Sequence, residues 1–385
     1  MIKIEGHILQ QLESAYGLHI SDVEVMRSGY NDVFQLVTDK GKKALKVSDK
    51  TREHVQFEQG FIKSLIEAGF TGVPVPVSIE KPDAVDEVIE DTIAIIEGRP
   101  YLLFEWIGGE EYGGGLEQIT SAGENLAKFH EVSGQILEQR LTEGKTDYIS
   151  IRSQWGDLVV RFPPQGNGQD VQGNDIWSEH IRQAYSPKQL RVPTVHYEWS
   201  LTDNSEVGKF VRDCAPFVER KLAQIKNGLY GMGFRCEETE SGIMYHFPVP
   251  KVIVHADYAP QNLKFKENRV CAILDFDNAN ARERMYDVSW GLATFSAEGD
   301  GTLNHDKLTA FLRGYASVSP LRVAEAGIIL YEIYTRCMET MYWPAEKYRK
   351  GQHWRLDFAS HDFEIIKWLD SNESQIIDII HKAIS

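Results

Sequence analysis

The feature that most constrains this chain is a stretch between residues 252 and 277, in which polar side chains recur at fixed spacing between apolar runs. Asp257 follows an apolar run typical of a buried strand, Asn262 comes five residues later, and Asp275 comes thirteen residues after that, behind a second apolar run. A carboxylate at a strand end can meet an incoming hydroxyl group, and amide and carboxylate oxygens are ligands that Mg²⁺ accepts. The spacing therefore predicts a strand, a loop and a hairpin that present one base and two metal ligands.

Each of these three residues also has an ordinary structural interpretation. Asp257 alone could be a cap or turn residue, Asn262 could form an Asx-turn, and Asp275 could be the polar end of a strand. None of these readings explains the joint spacing, so we predict Asp257 as the general base and Asn262 and Asp275 as ligands of Mg²⁺.

Three neighbouring polar residues have less defined roles. Asp277 is left open between metal binding and ordering of the loop. His255 is expected to pack and hydrogen-bond beneath the loop rather than to act as an acid or base. Asp287 is expected to begin a helix and to hold the backbone of the loop that contains Asp257.

Length and composition are those of an ordinary globular chain. The 385 residues suffice for two lobes with separate cores, and 42% hydrophobic with 25% charged residues is typical of a soluble protein. The four cysteines lack a Cys-x-x-Cys pair, which favours neither a zinc site nor a disulfide framework. The sequence shows neither a signal peptide nor an apolar run near the roughly 20 residues that cross a bilayer. We therefore expect a cytoplasmic protein.

The formal net charge of −16 limits the partners of the chain. It argues against a nucleic acid or an anionic membrane surface, because both would be repelled. It fits a cationic small molecule, such as an amine or an aminoglycoside, and it also fits the simpler role of keeping the protein soluble.

Hydrophobic periodicity divides the chain into a strand-rich part and a helix-rich part. In the first part, helices are predicted over residues 5–16 and 51–68. Strands are predicted at Val23–Met26, Val33–Thr38, Lys43–Val47, Thr92–Ile96 and Tyr101–Ile107. After Gly108-Gly109, helical spacing prevails over residues 117–131, 205–228 and from 303 onward, whereas residues 140–200 lack periodicity and are interpreted as an insertion with little regular structure.

This order of elements predicts an α+β, bilobal fold. An N-terminal antiparallel-sheet lobe would comprise residues 1–107, and a mainly helical lobe would comprise residues 108–385. Strands would again frame the polar residues over 250–277.

The strand-rich part contains a candidate buried ion pair. Lys46 lies between apolar residues of a predicted central strand, where a lysine is costly to bury unless it is paired. We predict that Lys46 contacts the α- and β-phosphates of a nucleotide and pairs with a glutamate of the following helix. Glu58 fits as its partner because it shares the inward, apolar face of the helix predicted over 51–68. Glu53 is the second choice of partner, and an edge lysine in water is the alternative reading of Lys46.

Two further segments of this part are candidates for binding a nucleotide. The turn around Gly29, between the first two strands, could cover phosphates, with a plain hairpin turn as the alternative. Glu105 and Ile107 precede the Gly-Gly break, where backbone groups could hydrogen-bond an adenine edge; the alternative is an ordinary strand end.

Taken together, these residues resemble the aminoglycoside phosphotransferase and choline kinase-like families, including type II homoserine kinases. The similarity runs from about residue 20 to 295, interrupted by the insertion. The matching positions are the Gly29 turn, Lys46, Glu58, Val73-Pro74-Val75-Pro76, the helix end Leu126–His130, His255-Ala256-Asp257 with Asn262, and Asp275-Phe276-Asp277 with Asp287.

The resemblance implies a protein-kinase-like fold with ATP and Mg²⁺ as cofactors. It implies transfer of the γ-phosphoryl group to a hydroxyl of an amino alcohol, amine or aminoglycoside-like acceptor. Two positions depart from the family pattern. Ala256 stands where glycine is usual, which matters if the loop needs a positive φ, and Tyr258 replaces a common hydrophobic residue, which could alter the acceptor side.

The acceptor itself has no readable pattern in the sequence. Homoserine-like amino alcohols, choline-like amines and aminoglycosides all remain open. The candidate acceptor residues, for each of which packing is the simpler reading, are Tyr258, Asn278, Arg282, Glu332, Glu339, Tyr342 and Trp343. A nucleotide-binding scaffold without turnover is the alternative function, although it would be expected to have lost one of the key polar residues. A Mg²⁺-dependent hydrolase is a third reading.

Overall fold

The computed structural model describes most of the chain. The described residues are 4–27, 31–142, 149–153, 156–160, 200–231, 235–239, 242–246, 251–349, 351 and 356–384. They form two compact units, one of Met1–Glu111 with Asn262–Ala279 and the other of Tyr112–Gln261 with Asn280–Ser385. Gly29 and most of the predicted insertion lie outside the described residues.

The first unit is built on a six-stranded antiparallel sheet with the strand order β1-β2-β3-β6-β5-β4. Its strands are β1 (Ile20–Arg27), β2 (Asn31–Thr38), β3 (Gly41–Ser48), β4 (Glu87–Ile89), β5 (Ile93–Ile96) and β6 (Arg99–Glu105). Helices α1 (Gly6–Tyr16) and α2 (Arg52–Glu67) accompany them. The predicted strands and helices are present; the sequence missed the three-residue strand β4 and the short 3₁₀ helix Pro82–Ala84.

The sequence of helix α1 explains how this helix packs against the sheet. Its buried residues Ile8, Leu12, Ala15 and Tyr16 recur at helical spacing and join the apolar cluster of the sheet. The helix ends at Gly17, whose φ of 60° lies in the left-handed region that glycine adopts without strain.

The hairpin of β12 (Leu263–Lys266) and β13 (Arg269–Ile273) packs as part of the first unit. Phe265 exchanges two backbone hydrogen bonds with Glu110, at 2.7 and 2.9 Å, and Ile273 N–H donates to the carbonyl of Gly72 at 2.8 Å. The boundary predicted at residue 107 places this hairpin in the helical part. Because these backbone bonds join it to the sheet-bearing unit, the first unit is discontinuous in sequence and extends to Glu111.

The second unit is mainly helical. Its helices are α3 (Leu116–Thr142), α4 (Glu206–Gly231), α5 (Met285–Ser296), α6 (His305–Val318), α7 (Val323–Arg349) and α8 (Leu356–Ile384). Its antiparallel strand pairs are β7 (Ile149–Ser153) with β8 (Gly156–Val160), β9 (Arg235–Thr239) with β10 (Gly242–His246), and β11 (Lys251–Val254) with β14 (Asn280–Glu283). Strands β7 and β8 fall within the segment predicted to have little regular structure. Across the described part of the chain, no helix combines the length and apolarity needed to span a bilayer.

Helices α3 and α6 approach each other closely at two glycines. A Cβ atom on Gly314 would lie 2.1 Å from the carbonyl oxygen of Thr120, and one on Gly123 would lie 2.2 Å from the carbonyl oxygen of Phe311. Real Cβ atoms do not approach backbone oxygens this closely. The two helices can therefore pack at this distance only because both positions lack a side chain.

We expect Gly314→Ala to destabilise the protein, although alanine is the better helix former by about 1 kcal/mol. The added methyl group forces the helices apart, and overpacking of this kind typically costs about 1–3 kcal/mol. Urea unfolding measures the change. Gly6→Ala in α1 is the control, because nothing lies within 4 Å of its Cβ position. Equal stability of both variants would contradict the close approach of the helices.

Candidate active site

The first unit contains the predicted ion pair between Lys46 and Glu58. Nζ of Lys46, in β3, lies 2.7 Å from Oε1 of Glu58, in α2, and the two residues are 6% and 2% exposed. Thr51 caps the N-terminus of α2 by accepting the backbone N–H of His54. Oδ1 of Asp275 lies 3.5 Å from the same Nζ. A strand, a helix and the end of a hairpin thus bring one ammonium group to two carboxylates.

The electrostatics of this cluster keep Lys46 charged. Burial would lower the pKa of Lys46, but the charges of Glu58, Asp277 and Asp275 outweigh it and hold the pKa above its usual value. Burial raises the pKa of Glu58 to about 7, against the opposing charge of Lys46. The cluster therefore presents a fixed positive charge surrounded by acidic groups.

Asp277 belongs to the same cluster, through contacts that the sequence did not reveal. Its Oδ2 accepts a hydrogen bond from the side-chain amide of Asn31 at 2.8 Å, and its backbone carbonyl lies against the ring of His54. Burial would raise the pKa of Asp277, but the charges of Lys46 and Lys50 and the Asn31 bond hold it below its usual range. Of the two roles left open for Asp277, these contacts favour ordering of the loop. Asn31 could have been suspected only from its position directly after the Gly29 turn.

The hairpin places the two predicted metal ligands at one end of β12 and β13. Asn262 precedes β12, and its carbonyl oxygen accepts the N–H of Leu274 at 2.8 Å, so that Asp275 follows at the same end. Asp275 has a φ of 66°, and its side chain is 24% exposed. Strands β12 and β13 are antiparallel, so Asn262 at the start of the hairpin and Asp275 at its end lie at the same end. This is the hairpin that the spacing predicted.

The predicted metal ligands suit Mg²⁺ completed by water and phosphate rather than a metal ion bound by protein ligands alone. Within the described ranges, no group of three or more His, Cys, Asp or Glu side chains is arranged to hold a metal ion. Mg²⁺ is usually bound through one or two carboxylates together with water and substrate phosphates. One carboxylate and one amide, from Asp275 and Asn262, agree with that requirement.

In the second unit, Asp287 holds the loop that carries Asp257. The two oxygens of Asp287 accept the backbone N–H groups of His255 and Ala256 at 2.6 and 2.7 Å. Asp287 lies in the first turn of α5, where a carboxylate is stabilised by the helix dipole. Both roles expected for Asp287, helix start and loop anchor, are present.

His130 completes the support beneath the loop. Its Nε2 lies 3.1 Å from Oδ2 of Asp287 and its Nδ1 lies 2.8 Å from the hydroxyl of Tyr315. Burial lowers the pKa of His130, although the hydrogen bond to Asp287 opposes the effect. A neutral imidazole therefore bridges the carboxylate and the phenol.

His255 lies beneath the loop, as expected. It is fully buried, and its Nδ1 accepts the backbone N–H of Asp257 at 3.2 Å. Asp257 itself is only partly buried.

The glycine position of the family pattern does require a positive φ. Ala256 has a φ of 64°, in the left-handed region that costs an L-residue about 1–2 kcal/mol. Its N–H is held by Asp287, and its carbonyl accepts a hydrogen bond from Arg336 at 3.0 Å. These bonds keep the strained conformation in place.

Ala256→Gly is expected to stabilise the protein by up to about 1.6 kcal/mol. Removal of left-handed strain gains about 1–2 kcal/mol, and the greater freedom of glycine in the unfolded chain gives back about 0.4–1 kcal/mol. Urea unfolding tests the prediction, with Ala279→Gly as the control because Ala279 has a φ of −57°. A clear loss of stability in Ala256→Gly would show that the strain is absent.

Four of the residues proposed for the acceptor side have described side chains, and three of these four are buried. Tyr258 is 0% exposed, and its hydroxyl donates to the carbonyl of Ala122 at 2.8 Å, so it belongs to the core. Arg282 is buried against the ring of Tyr286, and Glu332 is 8% exposed. Asn278 lies in a short 3₁₀ turn of the first unit. The side chains of Glu339, Tyr342 and Trp343 lie outside the described part of the structure.

The segment predicted to contact adenine begins where β6 ends. The exposed carboxylate of Glu105 pairs with Lys43 at 2.7 Å, and the N–H of Glu105 donates to the carbonyl of Val75 at 2.8 Å. Ile107 is half-buried in the loop that follows. The adenine contact of these residues stays a prediction, as does the phosphate contact of Gly29, which is not among the described residues.

Solved structures show the fold. An aminoglycoside phosphotransferase from Alicyclobacillus acidocaldarius superposes with a TM-score of 0.60 at 14% identity, covering 100% of this chain and 97% of that one. A spectinomycin phosphotransferase in complex with ADP and spectinomycin gives a TM-score of 0.58 at 14% identity, with 100% and 99% covered. The predicted α+β, kinase-like fold is thereby confirmed.

Sequence comparison shows the family. A homoserine kinase of Brucella melitensis is 33% identical over 136 residues, which are 34% of this chain and 38% of that protein, so the match spans well under half the length of that relative. The model of the phosphotransferase enzyme family matches residues 22–149 and 243–321, more than half of the chain. By this match the chain belongs to the phosphotransferase enzyme family, as its resemblance to aminoglycoside phosphotransferases and homoserine kinases predicted.

Proposed function

We propose that this protein transfers the γ-phosphoryl group of ATP to a hydroxyl of a small molecule, in the class of amino alcohols, amines and aminoglycoside-like compounds. One observation carries the proposal: in the first unit the buried pair Lys46–Glu58 lies beside the half-buried carboxylate of Asp275. A scaffold that merely keeps its shape has no need to bury an ammonium group among carboxylates, because burying charge is costly.

On the nucleotide side, Lys46 would contact the phosphates. Glu58 holds the ammonium group from the helix, and Asp275 lies close enough to share it. Asn262 and Asp275 would hold Mg²⁺, which when bound neutralises phosphate charge as it develops. Glu105, Ile107 and the Gly29 turn would contact the remainder of the nucleotide.

On the acceptor side, Asp257 would orient the hydroxyl and accept its proton. The loop is preorganised, because Asp287 fixes the two preceding backbone N–H groups and the N–H of Asp257 is bound to His255. Phosphoryl transfer depends mainly on positioning and on charge stabilisation, so a rigid base is the useful contribution of this unit.

The class of acceptor rests on the relatives and on charge. The similar proteins are named for homoserine and spectinomycin, which both carry hydroxyl and amino groups. The net charge of −16 adds that a cationic acceptor would be attracted. A nucleotide-binding scaffold remains the alternative function, and it predicts binding of ATP without acceptor-dependent turnover.

ADP release by the purified protein with Mg-ATP tests the proposal. The acceptors are L-homoserine, 1-amino-2-propanol, ethanolamine, choline, spectinomycin and an uncharged polyol. We expect acceptor-dependent ADP release with at least one amine. Its KM should rise with ionic strength, because salt screens the attraction between charges.

Asp275→Asn should abolish this turnover, whereas Asp83→Asn, at an exposed turn, should leave it unchanged. ATP binding without acceptor-dependent release for any compound would favour the scaffold, and release of phosphate alone would favour a hydrolase.

A further inference from the structure

The indole N–H of Trp290 donates a hydrogen bond to the carboxylate predicted to be the base. Nε1 of Trp290 lies 3.3 Å from Oδ1 of Asp257. An indole nitrogen can only donate, so this contact favours the ionised carboxylate and fixes one of its oxygens.

Two residues of helix α5 form hydrogen bonds with the loop that contains Asp257. Asp287 binds the backbone of residues 255 and 256, and Trp290 binds the side chain of Asp257. Asp287 and Trp290 are three residues apart, so they lie on the same face of the helix in successive turns. The helix that holds the loop therefore also sets the orientation of the base.

Arg336 of α7 holds Trp290 in turn. Its guanidinium carbon lies 4.8 Å from the centroid of the Trp290 ring and 4.5 Å from that of Tyr286, one turn before Trp290 on α5. The guanidinium also donates to the hydroxyl of Tyr286 and, at 3.0 Å, to the carbonyl of Ala256. Arg336 is 2% exposed, and a buried cation on an aromatic face is held firmly.

We propose that Trp290, held by Arg336, is the positioning residue of Asp257, fixing its carboxylate for the acceptor hydroxyl. This inference rests on the proposed function, because it assigns a partner to the base of that reaction. Trp290 acts through Asp257 and needs no contact with the substrate. The role is separate from that of Asp287, which binds the backbone of the loop at His255 and Ala256 and not the side chain of Asp257.

The sharpest test removes the hydrogen-bond donor of Trp290 and keeps its bicyclic aromatic ring. Replacement of Trp290 by 3-benzothienylalanine substitutes sulfur for the indole N–H and retains the stacking with Arg336. Turnover is followed as ADP release from Mg-ATP, with water as acceptor and with L-homoserine, 1-amino-2-propanol or spectinomycin. We expect kcat to fall about 10- to 100-fold, the scale of a misplaced reacting group, with an unchanged KM for ATP.

A double-mutant cycle separates positioning from a purely structural role. Trp290→Phe should lower kcat in the wild-type background and have no further effect in Asp257→Ala, because its partner is then absent. Trp368→Phe in α8 is the matched control and should leave kcat unchanged. The indole N–H resonance of Trp290, observed with ¹⁵N-labelled tryptophan, should shift when Asp257 is replaced by alanine.

The outcomes distinguish this inference from the proposed function. If Asp257→Ala lowers turnover but the benzothienyl variant turns over like wild type, or if Trp290→Phe costs as much in Asp257→Ala as in wild type, the positioning role is wrong and the proposed function stands. If Asp257→Ala leaves ADP release unchanged, or wild type releases none, the proposed function falls and this inference falls with it.

Discussion

Asp257→Asn is expected to lower kcat by about 10²- to 10⁴-fold, the usual contribution of general-base assistance. Asparagine keeps the size of the side chain, and its carbonyl oxygen can still accept the hydrogen bond from Trp290. It cannot accept the proton of the acceptor hydroxyl. Because phosphoryl transfer proceeds through a loose transition state that needs little early proton movement, we expect a loss near the lower end of this range.

The KM for Mg-ATP should change little in this variant, because Lys46, Asn262 and Asp275 are untouched. Steady-state kinetics with varied ATP and a saturating acceptor measures both constants, and Asp83→Asn serves as the exposed control. Activity of Asp257→Asn within a few-fold of wild type would remove Asp257 as the base and require a new interpretation of residues 252–277.

Lys46→Met is expected to reduce both turnover and stability. Loss of one electrostatic contact to a reacting group typically costs about 10²- to 10³-fold in kcat. Breaking a buried ion pair by removing one partner typically costs about 3–5 kcal/mol, because the remaining charge is left buried. Here the remaining groups are the carboxylates of Glu58, Asp275 and Asp277, which all lose the same counter-charge.

The loss of stability should grow with pH. The pKa of Glu58 is about 7 in the folded protein, whereas its ordinary value is 4.5. The folded state therefore binds a proton at Glu58 more tightly than the unfolded state does. Stability from such a group is present at low pH and is lost as the pH rises through the folded pKa. In Lys46→Met the opposing charge is gone and this pKa rises further. Asp277, whose pKa Lys46 holds below its ordinary value of 3.8, also loses stabilisation in the variant, but that stabilisation is present in wild type at pH 6 and pH 8 alike, so the dependence on pH comes from Glu58.

Urea unfolding at pH 6 and pH 8 therefore measures the effect. The difference between wild type and Lys46→Met should be larger at pH 8. The control is Lys81→Met, at an exposed position, which should show no such dependence on pH. A difference between wild type and Lys46→Met that is equal at both pH values would mean that Glu58 does not depend on Lys46 for its charge.

The elements of the fold were predictable because their periodicity is strong and local. Helix α1 has a clear apolar face, and the strands of the first sheet alternate or carry apolar runs between turn residues. Strand β4 was missed because three residues are too few to show a period. The hairpin of β12 and β13 was recognised as a hairpin, but its membership of the first unit depends on bonds to Gly72 and Glu110, which no local pattern contains.

The parts of the site that depend on local sequence patterns could be predicted, whereas contacts between residues distant in sequence could not. The Lys46–Glu58 pair follows from a charged residue on an apolar strand and an inward helix position. The contact of Trp290 with Asp257 joins residues 33 positions apart and has no sequence signal beyond the helical spacing from Asp287. For Ala256 the sequence showed a missing glycine, but only the φ of 64° shows that the missing glycine matters.

The discontinuity of the first unit has a consequence for the order in which the protein folds during synthesis. The ribosome must release about 150 residues of the second unit after Glu111 before Asn262–Ala279 emerges. Until then the nascent sheet lacks the hairpin that pairs with Glu110, and Lys46 has only Glu58 as a neighbour from this cluster. Although translation of the first unit begins before that of the second, we expect its folding to be completed only after Asn262–Ala279 has emerged. A fragment ending at Glu111 would lack both Asp275 and Asp277.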